Sequence, residues 1–134
     1  MEPTKIIVRY NDGRILKGFT QNFFPNKPTF HFQPIDSKNP SDNLEVKIKD
    51  LKGIFFVRDF SGNSQYKEKK TFPQGVQISG KKVEVTFKDG EIMVGSTLGY
   101  DSNRPGFFFF PSDPEWNVIR VYIVSPSVQK VRIT

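Results

Sequence analysis

The 134-residue chain contains no cysteine, which excludes disulfide bonds and thiolate metal sites and leaves the redox compartment undecided. Histidine occurs only once, as His31, so a His/Cys metal cluster cannot be assembled. An acyl-transfer centre would depend on His31 alone, and no nucleophile-elbow motif accompanies it. The P-loop and the dinucleotide-binding motif are missing as well. These absences predict a protein that is not an enzyme and that carries neither a cofactor nor a metal.

Long apolar runs are also missing. No stretch approaches 18 apolar residues, and the first five residues, MEPTK, contain no apolar segment of a signal peptide. We therefore expect a soluble, cytoplasmic protein without membrane contact. Apolar residues make up only 36% of the chain, but 14 phenylalanines supply large buried areas. A hydrophobic core is feasible on that basis without disulfides.

Negative charge is scarce relative to positive charge. The chain carries 20 Lys and Arg against 14 Asp and Glu, which gives a net charge of +6. Such a balance favours contact with nucleic acid or another anionic partner. The cations are dispersed along the chain, and only Lys67-Glu68-Lys69-Lys70 resembles a run.

What the sequence does contain is a repeat. Residues Lys5–Asp36 and Lys82–Asp113 align without a gap and are identical at 13 of 32 positions. Self-similarity of this kind indicates a duplicated structural unit. We expect a first repeat at residues 1–58, a linker at 59–81 and a second repeat at 82–134. The linker is long for a compact protein, so it is either mobile or structured on the surface, and its residues 76–78 could add a short edge strand.

Each repeat opens with alternating apolar residues, the pattern of a half-buried strand, followed by Asp12-Gly13 or Asp89-Gly90. An Asp-Gly pair predicts a two-residue type I′ hairpin with φ above zero at both positions. That turn would place four side chains on the core face, namely Tyr10, Ile15, Phe87 and Ile92.

The remaining strands of each repeat follow from the same alternation. Gly18 and Gly95 lie inside the second strand and indicate a bend or a close backbone approach. The third strand should bury alternate phenylalanines, and two further strands follow it. No helical pattern occurs anywhere, so we predict an all-β chain with five strands in each repeat. The residues expected inside from the third strands are Phe30, Phe32, Phe107 and Phe109.

This unit resembles the Sm-like (LSm) fold. Val85–Gly95 is similar to the first Sm motif, Val8–Gly18 is its twin, and Gly99–Asn103 looks like the later part of that motif. Of the second Sm motif, Val57-Arg58 and Val131-Arg132 keep the arginine but not the glycine. The resemblance implies two tandem, small, five-stranded, strongly bent Sm-like or SH3-like barrels, and a role in RNA binding. The repeat pair is also similar to a bacterial domain without assigned function.

The loop between the second and third strands is the first candidate site. Each copy has an asparagine, a cation and a proline in succession, and an aromatic residue precedes them. Aromatic faces stack bases, cations meet phosphate and amides read base edges, so the pattern predicts a site for single-stranded RNA. The resemblance adds the two arginines of the second Sm motif as phosphate contacts. The predicted nucleic-acid site comprises Phe23, Asn26, Lys27, Arg58, Tyr100, Asn103, Arg104 and Arg132.

The run Phe107–Phe110 supports a different function. If Phe107 and Phe109 face the core, Phe108 and Phe110 point the other way. An outward pair of phenylalanines packs on the other repeat or on a partner. The alternative is therefore a protein-interaction or assembly module that uses Phe108, Phe110 and the strand edges to bind a protein partner or a second copy of the chain.

Overall fold

The computed structural model describes residues 4–37, 39 and 42–134, and within them the chain is all-β, as predicted. No helix in these ranges is long and apolar enough to cross a membrane. We call residues 4–57 the first half and residues 81–134 the second half. The strands of the first half are β1 (Thr4–Tyr10), β2 (Ile15–Thr20), β3 (Thr29–Pro34), β4 (Leu44–Lys47) and β5 (Leu51–Val57). Those of the second half are β6 (Lys81–Phe87), β7 (Ile92–Thr97), β8 (Gly106–Pro111), β9 (Val118–Val124) and β10 (Val128–Ile133).

All ten strands lie in one antiparallel sheet in the order β10-β6-β7-β8-β9-β5-β1-β2-β3-β4. The prediction of two separate five-stranded barrels is therefore wrong, because the chain forms a single open sheet. The junction between β5 and β9 explains the difference. Strand β5 pairs with β1 along one edge and with β9 along the other, so neither edge is left to close on β4.

The junction strands separate two hydrophobic cores. On β5, Ile54 and Phe56 face the core of the first half, whereas Phe55 and Val57 face the core of the second half. Every residue of β5 is buried for this reason. A strand covered on both faces has a nearly continuous apolar sequence, as β5 does except for Lys52.

The first hairpin of each half differs from the predicted type I′ turn. Gly13 and Gly90 have φ values of 96° and 95°, but no other residue type in the described ranges has positive φ. The Tyr10 N–H donates to the Arg14 carbonyl at 2.9 Å, which closes a three-residue loop ending in a left-handed glycine. The extra residue shifts the register by one, so Ile15 pairs with Arg9.

The register shift exchanges core and surface on the returning strand. Ile15 and Ile92 are 55% and 41% exposed, so their predicted burial is wrong. Leu16 and Met93 pack against the two cores in their place. The phenylalanines predicted inside the third strands are all buried, which confirms that part of the expectation: Phe30, Phe32, Phe107 and Phe109.

The glycines inside β2 and β7 mark close backbone approach, as predicted. A Cβ atom on Gly95 would lie 2.1 Å from the Phe110 carbonyl oxygen and 2.5 Å from the Phe109 ring. A Cβ atom on Gly18 would lie equally close to the Gln33 carbonyl oxygen. Only glycine fits where the second and third strands come this near.

Residues 58–80 join the two halves without forming a strand, so the short edge strand considered at 76–78 is absent. The buried carboxylate of Asp113 holds this segment on the second half. It accepts hydrogen bonds from the Tyr66 hydroxyl at 2.5 Å and from the Lys69 N–H at 2.9 Å. Burial alone would raise the pKa of Asp113. These two hydrogen bonds and a third from the Glu115 N–H have a larger combined effect in the opposite direction, so the pKa of Asp113 is lowered.

Candidate nucleic-acid interface

The two predicted loops meet beside the junction of the halves. Asn26 of the first loop and Arg104 of the second line one cleft of about 650 Å³, which we call the central cleft. Its floor consists of the second half's aromatic strand, with Phe108 and Phe110. Pro25, Asn26 and Pro105 also line an adjoining cleft of about 550 Å³. The structure thus brings the loops of both halves to one surface.

Both loops have the same local structure. The Lys27 N–H donates to the Phe24 carbonyl, and the Arg104 N–H donates to the Asp101 carbonyl, each at 3.1 Å. The Asn103 N–H is held by the Asp101 side chain at 2.9 Å. A turn of this type leaves the cation at its end exposed, so the loops present matching positive groups.

The loop cations have only weak internal partners. The Lys27 ammonium lies 5.4 Å from the centre of the Phe24 ring, and the Arg104 guanidinium is 3.9 Å from the Asp101 carboxylate. The Arg104 side chain is 75% exposed. Surface contacts of this kind contribute little stability, so both cations can turn to an external anion at little cost.

The adjoining cleft is basic as well. Lys27, Lys47 and Lys49 line it, and among the residues that the structure describes no aspartate or glutamate lines this cleft or the central cleft. A concave surface lined by one sign of charge concentrates its field on a ligand of the opposite sign.

The aromatic residues at the loop entrances pack inward. Phe23 belongs to the first core, and its ring centre is 5.4 Å from that of Phe30 and 5.3 Å from that of Tyr122. Tyr100 contacts Phe107 edge to face at 4.9 Å. These residues anchor the loops, whereas Phe24 is the aromatic side chain that the first loop exposes, at 49%.

The two arginines suggested by the second Sm motif lie elsewhere. Arg58 donates to the Trp116 and Pro114 carbonyls at 2.5 and 3.1 Å, which ties the linker to the loop after β8. Arg132, on the edge strand β10, pairs with Glu84 at 2.9 Å. Neither arginine lines either cleft.

The two phenylalanines proposed as an interface differ in their surroundings. Phe108 is partly buried and packs across the junction on the first core, with ring centres 6.4 Å from Phe56 and 5.2 Å from Tyr122. Phe110 lines the central cleft and, on its other side, an apolar groove against the linker. Leu98 is shared by the same two surfaces and is 73% exposed.

Sequence reasoning missed Arg120, which lines the central cleft. Its guanidinium lies 4.2 Å from the centre of the Phe56 ring and 5.0 Å from that of Phe108. Among the residues that the structure describes, no carboxylate or carbonyl accepts a hydrogen bond from it. Stacking on rings fixes the plane of a guanidinium and leaves its N–H groups free for a planar or tetrahedral anion. The available signal was a single cation in the apolar strand β9.

The fold and these surfaces define a small all-β protein with a basic, aromatic cleft and an adjoining basic cleft beside the junction of its halves. The chain belongs to DUF6982, a family of unknown function, whose model matches residues 2–134. No curated protein and no solved structure matches the chain.

Proposed function

We propose that the protein is a non-enzymatic module that binds single-stranded nucleic acid, in the first place RNA, in the central cleft. The observation that carries this proposal is the convergence of Asn26, Arg104 and Arg120 on one cleft that has an aromatic floor and no acidic residue in its described lining. These are the three kinds of group that single-strand recognition uses: an amide, cations and rings.

Each group has a distinct part in the proposed complex. Arg120 and Arg104 meet phosphates, since guanidinium groups pair with phosphate oxygens through two N–H donors. Lys27 adds a third positive charge from the adjoining cleft. Bases stack on the partly exposed Phe110 and on Phe24. The Asn26 amide can both donate to and accept from a base edge.

The strand order supports the further proposal that the chain is a tandem duplication of an Sm-like unit. Strands β5-β1-β2-β3-β4 follow one another in the sheet, and β10-β6-β7-β8-β9 repeat the same order. Under this proposal the two loops are copies of one binding element. Duplication then doubles the charge that faces a single strand.

The proposal is tested by fluorescence anisotropy with labelled oligo-U and oligo-A at low and high salt. The wild-type protein should bind at low salt and weaken steeply as salt rises, because binding releases counterions from the strand. Arg120→Met removes the guanidinium but retains an apolar side chain of similar length, and it should weaken binding at least fivefold.

Lys130→Met is the matched control, because Lys130 is an exposed cation on β10, outside both clefts. It should bind like the wild type. A folded wild-type protein that binds no oligonucleotide at low salt would refute the proposal. Equal losses in the two variants would show that net charge, rather than the central cleft, determines binding.

Protein interaction is the second candidate, and the apolar groove between β7, β8 and the linker favours it. Leu98 and Val76 are 73% and 55% exposed there, beside Phe72 and Phe110. Contiguous exposed apolar side chains of this kind often mark an interaction surface. This candidate predicts binding that is insensitive to salt and lost in Leu98→Ser.

A further inference from the structure

A second concave surface lies on the first half, where β2 and β3 end. It encloses about 600 Å³, and we call it the amide cleft. Of the residues that the structure describes, none that lines this cleft is charged. The described polar side chains in its lining, apart from the hydroxyl of Thr20, are four amides and one imidazole: Gln21, Asn22, His31, Gln33 and Asn43.

Asn22 holds His31 in a defined orientation. Its Oδ1 accepts the hydrogen bond of the His31 backbone N–H at 2.9 Å, so its Nδ2 must face the imidazole. That Nδ2 lies 2.9 Å from His31 Nδ1, which makes Nδ1 the acceptor in the neutral ring. The ring proton is then on Nε2, and the exposed His31 side chain carries a fixed donor.

Within the described part of the chain, the side chains of the other three amides, Gln21, Gln33 and Asn43, make no hydrogen bond. Each therefore offers one donor group and one acceptor to a ligand. A neutral set of donors and acceptors suits a neutral ligand with a pattern of the same kind, such as the edge of a nucleobase.

The matching surface of the second half has the opposite character. There the residues at the matching positions are apolar, aromatic or cationic, and they line the central cleft. The equal register of the next strand pair extends the match to Asn43 and Arg120, since Phe32 pairs with Leu44 as Phe109 pairs with Val121. The pairs of matching positions are Gln21 and Leu98, Asn22 and Gly99, His31 and Phe108, Gln33 and Phe110, and Asn43 and Arg120. The matching surfaces of the two halves therefore differ in chemistry. That of the second half offers rings and a cation, and that of the first half offers neutral hydrogen-bonding groups.

We propose that the amide cleft reads the edge of a base in the same strand that the central cleft holds by stacking and charge. This inference rests on the proposed function and adds to it the source of base preference. Asn22 and Asn26 belong to one loop and are four residues apart, so their Cα atoms are at most about 14 Å apart. A strand of a few nucleotides can therefore reach both clefts.

The test compares affinities for oligo-U, oligo-A and oligo-C of equal length. The wild-type protein should prefer one of them by about tenfold or more, since one well-placed amide pair discriminates by about 1–3 kcal/mol. Gln21→Leu/Gln33→Leu should reduce that ratio to about one and leave the salt slope unchanged. Gln65→Leu removes an exposed amide in the linker and should keep the full preference.

Every outcome of this test is decisive. No binding by the wild type refutes the proposed function itself. Binding without preference, or a preference that survives in the double variant, overturns only the role of the amide cleft. Gln21→Leu alone changes a single exposed side chain, so it supplies the comparison if the double variant does not fold. In that case the single variant should lower the preference at least threefold.

Discussion

Replacing Lys52 tests the junction that joins the two halves. Lys52 belongs to β5 of the first half, is 4% exposed, and forms an ion pair with Asp89 at 2.6 Å and a second with Glu91. Its ammonium also lies 4.5 Å from the centre of the Phe87 ring. All three partners belong to the second half. Lys52→Met keeps the apolar stem and removes only the charge.

The structure sets the expected size of the effect. Removal of one partner from a fully buried ion pair costs about 3–5 kcal/mol, and exposed pairs contribute about 0–1 kcal/mol. The side chains of Asp89 and Glu91 are 52% and 35% exposed, so water can solvate their carboxylates after Lys52 is replaced. Glu91 also retains its ion pair with Arg9 at 3.0 Å. We expect a loss of about 1–2 kcal/mol, intermediate between those limits.

Urea denaturation measures this loss, and Gln129→Met is its control. Both Lys52 and Gln129 occupy the bulge after the first residue of their strands, but Gln129 is exposed on β10. The control should change stability by no more than about 0.5 kcal/mol. A double-mutant cycle with Glu91→Gln then isolates the coupling across the junction.

Acid titration adds a second measurement on the same variant. The hydrogen bond from Lys52 lowers the pKa of Asp89 below 3.8, so its stabilising effect is present above that pH and is lost as the pH falls through the lowered pKa. Lys52→Met should flatten this part of the stability curve. Equal stability of the Lys52 and Gln129 variants, with no coupling to Glu91, would refute the reasoning.

Three further predictions concern the fold. In urea denaturation, Gly95→Ala should destabilise by several kcal/mol, because its Cβ would overlap the Phe110 carbonyl oxygen. Gly99→Ala, with open space around it, should cost about 1 kcal/mol or less. The hydrogen bond to Asp113, together with burial, raises the pKa of Tyr66 to about 12 from 10.0, so its contribution is present below pH 10 and is lost towards pH 12. In an absorbance titration, Tyr66→Phe should remove the phenol that ionises near pH 12. Removal of a phenol that ionises near pH 10 would contradict the raised pKa of Tyr66. The outer strands β4 and β10 carry the exposed charged residues Glu45 and Arg132. At the corresponding positions the junction strands β9 and β5 carry buried Tyr122 and Phe55. Charged outer edges disfavour pairing with another sheet, so light scattering should find a monomer rather than an edge-paired assembly.

Periodicity in the sequence was sufficient to predict five strands in each half, although not all of their bounds. Alternation placed Phe30 and Phe109 inside, and the alignment of Gly18 with Gly95 indicated the close approach that the structure contains. Where only one face of a strand is buried, apolar residues recur at every second position. The buried residues of such a strand can be predicted without knowing which strands lie beside it.

Periodicity alone could not predict which strands pair or how long the hairpin loops are. The apolar run of β5 is compatible with a barrel wall or with a junction strand, and only the pairing with β9 distinguishes them. An Asp-Gly pair fits both a two-residue and a three-residue hairpin, and the choice between them moved Ile15 from core to surface.

The candidate site was predictable in part for a related reason. Asn26 and Arg104 were found because both loops keep the same residue types, and the structure brings them to one cleft. Arg120 could not be found by comparing the copies, since Asn43 occupies the matching position. Its place in the candidate site depends on the rings of Phe56 and Phe108, which meet only when the halves pack together.

The salt dependence of oligo-U binding by Lys27→Ala/Arg104→Ala tests the central claim most directly. Each phosphate contact to a single strand contributes about 0.7 to the slope of log K against log salt concentration. The double variant should therefore lose about 1.4 units of slope relative to the wild type. Lys67→Ala/Lys130→Ala, which removes two exposed cations outside the clefts, should retain the wild-type slope. An unchanged slope in the loop variant, or no binding by the wild type at low salt, would contradict the account.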